Sequence, residues 1–440
     1  MAFETIPGTS DQYALLSFDD NGRERTDDPQ GVGGLLSKEI LSRVAREQPS
    51  HVLFFIHGWK GDVASARDQY NRWIGAMLRL TDDRQAVKGT FKPAWIGLHW
   101  PSQPFGDEEL AGGESFDIGE GTVSPDEIKA TYLKRLGLGS EAAPLIEAIV
   151  RDHQKNAAAT ELPEESRRAY QELASLAGHT SDGPEGPPDA EDAPFDPDVA
   201  FDRGNAASGG ANFGDGGFLG GILGPLRQLS YWTMKKRARS IGESGMHQFV
   251  SDLMKAAPSA RFHLMGHSFG TIVVSSILGG NDGSGQLPRQ VDSVALIQGA
   301  VSLWAFGDSV KGKNRKGYFN PWVHRPAVRG PVLVSRSVHD RAVGTLYPWA
   351  SAVSFSDGSF DPDDEDLPLY GAIGKYGIRG LPGAVFREMM EKTGTYGFEA
   401  GKIYNLEASR FIAKGDGLSG AHSDIDGPEV AHAIWQAALV

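Results

Sequence analysis

Three side chains of this chain have the types and the order needed to cut an acyl bond: Ser268, Asp340 and His422. A serine hydroxyl is a poor nucleophile at neutral pH. It needs a histidine to take its proton, and the histidine needs a carboxylate to fix its tautomer and stabilise the imidazolium. Ser268 sits in Gly266-His267-Ser268-Phe269-Gly270, a G-x-S-x-G spacing between the apolar run Phe262 to Met265 and the apolar, small residues Thr271 to Leu278. A nucleophile at such a strand-to-helix turn needs a strained backbone to lift its hydroxyl clear of the sheet. Side chains two positions either side would collide with the strand or the helix, and glycine removes them. The competing reading, a glycine-bracketed turn with an idle serine, is disfavoured by the strand before it and the helix after it.

Asp340 follows directly on the strand-like run Pro331 to Val338, which puts it at the carboxyl edge of a sheet, where loops carry function. Asp308 and Asp292 are the rival acids, and neither leaves a strand end in the right place. His422 lies in Gly420-Ala421-His422-Ser423-Asp424, a polar loop between the last expected strand and the closing helix. Its rival, His432, falls inside that helix. A developing oxyanion needs backbone N–H donors. Phe269, next after the serine, is expected to supply one. The loop His57-Gly58-Trp59-Lys60 is expected to supply the other, from Trp59 or alternatively Lys60. His57 reads as a buttress of that loop. Trp100 and Trp304 are candidate walls of a substrate pocket, although aromatic side chains pack cores more often.

Elements must hold these residues in place. Residues 1 to 35 are polar and turn-rich, with a hairpin-type signal at Asp19-Asp20-Asn21-Gly22. A helix is expected over Ser37 to Arg46. Val52 to Ile56 is continuously apolar, as in a parallel strand buried on both faces. A helix over Ser65 to Leu80 and a strand over Pro93 to Trp100 complete a βαβ rhythm. Residues 101 to 230 break it, with three expected surface helices at 126–136, 142–153 and 163–176. The tract SDGPEGPPDAEDAPFDPD, 181–198, has too little apolar area to offset its ordering entropy and is expected to be mobile. Residues 207 to 226, with Phe213, Phe218, Leu219, Ile222 and Leu223 among glycines, read as a flexible loop with anchoring side chains or as a glycine-hinged lid. Tyr231 to Ala257 has helical period, with Lys235, Lys236, Arg237 and Arg239 expected on a solvated face. Strands are expected at Val291 to Ile297, Pro331 to Val338 and Lys402 to Leu406, and residues 350 to 400 as an irregular excursion. Pro428 to Ala438 closes the chain as a helix, with Asp426 and Glu429 at capping-box spacing.

Composition narrows the partners. The chain has 440 residues, a formal net charge of -14 and no cysteine. The charge argues against a nucleic acid or an anionic membrane held by bulk electrostatics. Disulfides, thiol catalysis and Cys-ligated metals are excluded. No apolar run is long enough to suggest a transmembrane helix. No basic n-region and apolar h-region open the chain, so a cytoplasmic location is the expectation, with signal-less export left open. Asp357, Asp361, Asp363, Asp364, Glu365 and Asp366 miss the spacing of a calcium loop and read as a solvated acidic loop, so no metal is expected.

Taken together, HGWKGD, GHSFG, SVHDRAVG and GAHSDI resemble the α/β-hydrolase superfamily, in particular its serine esterase and lipase-like members. The likeness covers residues 50 to 100 and 230 to 440. It implies an α/β fold with a mostly parallel sheet of about eight strands flanked by helices, a two-step acyl-enzyme mechanism and no cofactor. The chain then divides into core residues 1–100 and 231–440 around a cap or lid insertion, 101–230. The substrate expected is a small-molecule acyl compound, with a carboxylic ester first. A thioester, amide or peptide on the same triad, or a non-catalytic binding protein of the same fold, are the alternatives.

Overall fold

In a computed structural model of the chain, residues 3–26, 34–58, 63–87, 89–102, 124–155, 159–208, 221–325, 327–343, 367–415 and 420–440 are described. Nine strands form one sheet in the order β1-β2-β4-β3-β5-β6-β7-β9-β8. They are β1 (Phe3–Thr5), β2 (Gln12–Ser17), β3 (His51–Ile56), β4 (Pro93–His99), β5 (Arg261–His267), β6 (Ser293–Ile297), β7 (Val332–Arg336), β8 (Val385–Glu388) and β9 (Ile403–Glu407). Every pairing is parallel except β1 with β2. The architecture is α/β with a mostly parallel sheet.

The central strands are buried along nearly all of their length because helices cover both of their faces. Along β3 the residues alternate between two layers. Phe55 meets Trp73 of the helix Val63–Arg79 edge-on at 5.2 Å. Its neighbour Phe54 meets Phe249 of the helix His247–Ala256, also edge-on, at 6.3 Å on the other side. Trp435 of the closing helix Pro428–Ala438 joins the first layer, donating its indole N–H to the Met77 carbonyl at 2.9 Å.

The chain separates into two compact units. One comprises Met1–Ser102, Arg237–Tyr347 and Ser356–Val440; the other comprises Gln103–Lys236 with Pro348–Phe355. The second unit is helical over Pro125–Leu136, Ala143–Lys155, Glu164–Leu176 and Pro197–Ser208. These helices are not simply surface decoration. Tyr132, Ile146, Ile149, Tyr170 and Leu173 are all buried.

Several expectations need correction. The opening polar stretch contributes two strands, and β2 runs parallel to β4 with Tyr13 opposite Trp95. Its pairing is long-range, so local composition hides it. The 350–400 excursion holds β8, a short, half-buried strand paired only with β9. Asp426 does not cap the closing helix, whose N-cap is Gly427 without a side-chain bond; Asp426 pairs with Arg72 at 2.8 Å instead.

The acidic tract is fixed in place. Lys235, fully buried, donates to Glu191 Oε1 at 2.9 Å and to Asp192 Oδ2 at 3.0 Å. Lys235 and Arg237 are therefore not on a solvated face. The entropic expectation failed because proline and glycine turns close on their own backbone, with Asp182 N–H bonded to the Ala190 carbonyl at 2.8 Å, and because the carboxylates found a cation. In the glycine-rich stretch, Ile222 and Leu223 are buried. Phe213, Phe218 and Leu219 lie outside the described residues, as do Asp357 to Asp366. Among the described residues, no helix is long and apolar enough to cross a membrane.

Candidate active site

The residues singled out by chemistry sit at the carboxyl ends of neighbouring strands: Ser268 after β5, Asp340 after β7 and His422 in the loop after β9. Parallel strands end their chains on one edge, so this is where separate loops can meet. Ser268 has φ +55°, a left-handed conformation rare in a non-glycine residue. The two flanking glycines are required. A Cβ on Gly266 would fall on the backbone of Gly270, and one on Gly270 would fall on the Ile56 carbonyl of β3. Gly58 is a third requirement, since a Cβ there would overlap the Cβ of Ser268.

The three side chains are joined. His422 Nε2 lies 2.8 Å from Ser268 Oγ, and His422 Nδ1 lies 2.7 Å from Asp340 Oδ2. An aspartate that only accepts makes Nδ1 the protonated nitrogen, which leaves the Nε2 lone pair facing the serine hydroxyl. Asp340 is 1% exposed, and its other oxygen accepts the Val343 N–H at 3.0 Å. His267 stands beside the pair with its ring 4.7 Å from that of His422. Its Nε2 donates to the His422 carbonyl at 2.8 Å, and Gln69 Nε2 donates to its Nδ1 at 3.2 Å. His422 is thus held by its backbone as well as by its ring.

At the serine, the carbonyl of Ser268 accepts from the Thr271 N–H at 3.1 Å, from Thr271 Oγ1 at 2.6 Å and from the Ala300 N–H at 3.2 Å. A trans peptide points its N–H opposite to its carbonyl, so fixing that oxygen fixes the direction of the Phe269 N–H. Phe269 opens the helix Gly270–Gly279, whose first N–H groups face away from the helix body. Trp59 and Lys60 lie outside the described residues. The loop they belong to is anchored just before them. Tyr70 Oη accepts the His57 N–H at 2.9 Å, and burial pushes that phenol well above its ordinary pKa. His57 Nδ1 and Ser102 Oγ both bind the Gly58 carbonyl, at 2.7 and 2.8 Å. His57 is fully buried, as a buttress should be.

Among the described residues, Trp100 and Trp304 are buried packing residues. Trp100 is fully buried, stacks on His57 at 5.9 Å and donates to the His57 carbonyl at 3.0 Å. Trp304 is buried among Leu303, Val310 and Tyr376, with its indole bonded to the Leu369 carbonyl at 2.9 Å. The rival acids and base are engaged elsewhere. Asp292 binds Arg261, Asp308 binds His324, and His432 binds Asp83 at 2.7 Å. Gln298, Ser335 and Gln69, which also contact the group, carry no sequence signal of their own. Among the described residues, no cluster of three or more His, Cys, Asp or Glu is placed to hold a metal ion. No family model, curated protein or solved structure matches the chain.

Proposed function

We propose that the chain is a serine hydrolase of the α/β-hydrolase type that cleaves a carboxylic ester through an acyl-enzyme. The observation that carries this is the continuous Ser268–His422–Asp340 hydrogen-bonded line, 2.8 and 2.7 Å, on a serine with φ +55°. Ser268 Oγ attacks the acyl carbon while His422 Nε2 takes its proton, and Asp340 stabilises the imidazolium that forms. The oxyanion meets the Phe269 N–H, with Trp59 or Lys60 proposed as the second donor. His422 then returns the proton to the leaving oxygen, and water repeats the sequence to free the acid.

Thioesters, amides and peptides would use the same steps. An ester is placed first because its alkoxide leaves more readily than an amide nitrogen. The helical insertion after β4 is proposed as a cap that selects the acyl chain, so shortening it should alter chain-length preference before it alters chemistry. A fluorophosphonate probe should label the wild type on Ser268, and Ser268→Ala should abolish both labelling and hydrolysis of short p-nitrophenyl esters. Labelling that survives this substitution removes the assignment.

A further inference from the structure

We infer that Gln298 is a positioning residue for the site, acting through Asp340; this rests on the hydrolase reading above. Gln298 is the first residue after β6, is fully buried, and has φ +46°, one of the few left-handed non-glycine residues described. Such strain persists where the surroundings over-determine it. Here they do. Ser335 on β7 receives the Gln298 N–H at 3.0 Å and donates its hydroxyl to Gln298 Oε1 at 2.8 Å. With Oε1 occupied by a donor, the orientation of the amide is settled, and Nε2 is the end that faces the acid.

Nε2 donates to Asp340 Oδ2 at 2.8 Å, the same oxygen that accepts from His422 Nδ1. A weaker contact to the Gly374 carbonyl, 3.4 Å, holds its second hydrogen. Asp340 is therefore a buried carboxylate with three donors: the His422 ring, the Gln298 amide and the Val343 N–H. Among the described residues, no lysine or arginine pairs with it, and His422 is its ion-pair partner. Ser268 Oγ lies 2.8 Å from His422 Nε2, and the His267 ring stands alongside at 4.7 Å.

Two consequences follow for the reaction. The amide fixes the plane of the carboxylate, keeping Oδ2 in line with Nδ1. It also withdraws part of the carboxylate's accepting power from the imidazolium. Without it, the carboxylate holds the imidazolium more tightly, and the site regains its neutral base only at higher pH.

The experiment compares wild type with Gln298→Leu, Gln298→Glu and Ser335→Ala, each checked for folding by circular dichroism. Gln298→Leu should lower kcat about 10- to 100-fold, the value of a hydrogen bond to a charged group, with KM unchanged. Its low-pH limb in kcat/KM should move up. Gln298→Glu offers a donor only while protonated, so its activity should be lost on raising the pH through a range where wild type stays active. Ser335→Ala, which frees the amide to turn, should move the low-pH limb in the same direction by less. The far-downfield proton resonance of His422 Nδ1–H should shift in all three.

That resonance requires no turnover. If wild type neither labels nor hydrolyses esters while the resonance responds to Gln298→Leu, the hydrolase reading fails and the hold on Asp340 stands. If the folded variants keep the wild-type kcat, pH profile and resonance, the role of Gln298 is overturned. Should Gln298→Leu fail to fold, Gln298→Glu and Ser335→Ala decide by the same readouts.

Discussion

Asp340 and the Glu191–Asp192 pair are acidic groups equally shut off from water, yet the two units of the molecule stabilise them in opposite ways. Asp340 is met by neutral dipoles, an amide and a backbone N–H, together with a histidine that can be neutral or charged. Glu191 and Asp192 are met by a permanent cation, Lys235, whose ammonium also lies 4.9 Å from the centre of the Tyr231 ring. Burial works against the Lys235 charge, but the Asp192 and Glu191 carboxylates outweigh it and hold its pKa above the ordinary value. Dipoles let a charge come and go beside them. A full countercharge locks the state it pairs with. The first arrangement suits a site where a proton moves, and the second suits a structural lock.

Exchanging one side chain in each region should therefore give unlike results. Asp340→Asn keeps the volume, but its amide has one accepting oxygen where the carboxylate has two, so it cannot serve Gln298 Nε2, His422 Nδ1 and the Val343 N–H together. The expected loss is on the order of 10⁴-fold in kcat, with the denaturation midpoint little changed. Lys235→Met takes the Lys235 ammonium away from two buried carboxylates and should cost about 3–5 kcal/mol of stability. Adding Glu191→Gln and Asp192→Asn to it should recover much of that loss. Urea denaturation and initial-rate kinetics on the three proteins read both sides. A Lys235→Met protein as stable as wild type would dissolve the contrast.

Gly58→Ala tests whether the proposed active site depends on backbone placement as closely as its geometry suggests. The added methyl group falls on Ser268 Cβ, and either the serine or the loop must move. A displacement near 1 Å at a reacting atom costs about 100-fold. We expect that loss in kcat/KM for a p-nitrophenyl ester, with slower fluorophosphonate labelling. Gly427→Ala, at φ -67° and with a Cβ that meets only Glu429 Oε2 at 3.8 Å, controls for loss of a glycine as such.

The same contrast explains how far the sequence could be read. Ser268 and Asp340 were singled out because each follows closely on a largely apolar strand, β5 and β7, and His422 because it lies in the polar loop between β9 and the closing helix. The glycines around Ser268 were legible because the sterics of the turn leave no alternative. Gln298 and Ser335 were not, since a glutamine after one strand and a serine within the next gain meaning only when β6 and β7 lie side by side. Lys235 was misread for a related reason. A run of four cations in five residues looks solvated until the acidic tract, some 40 residues earlier in the chain, folds onto one of them. The strands β1 and β8 were missed because edge strands are short, and β2 because its pairing with β4 is long-range and specified by its partner more than by its own composition.

The smallest expected effect is one the two units share. His51 lies 3.0 Å from His263 across the opening residues of β3 and β5, and His263 Nδ1 lies 2.8 Å from Ser293 Oγ. Burial, and then the charge of Arg261, lowers the His51 pKa from 6.5 to about 4. In the other unit, burial and then Lys236 lower that of His179 from 6.5 to about 4. Both folded imidazoles stay neutral where the unfolded chain takes up protons. Their contribution to stability is therefore whole above pH about 6.5, declines as the pH falls towards about 4, and is level below that. Denaturation midpoints taken between pH 7.5 and 4.5 should fall, and His51→Asn and His179→Asn should each flatten the slope. If both variants keep the wild-type slope, other groups set the acid sensitivity. If only one flattens it, neutral burial of histidine matters in one unit and the difference between the units extends beyond their carboxylates.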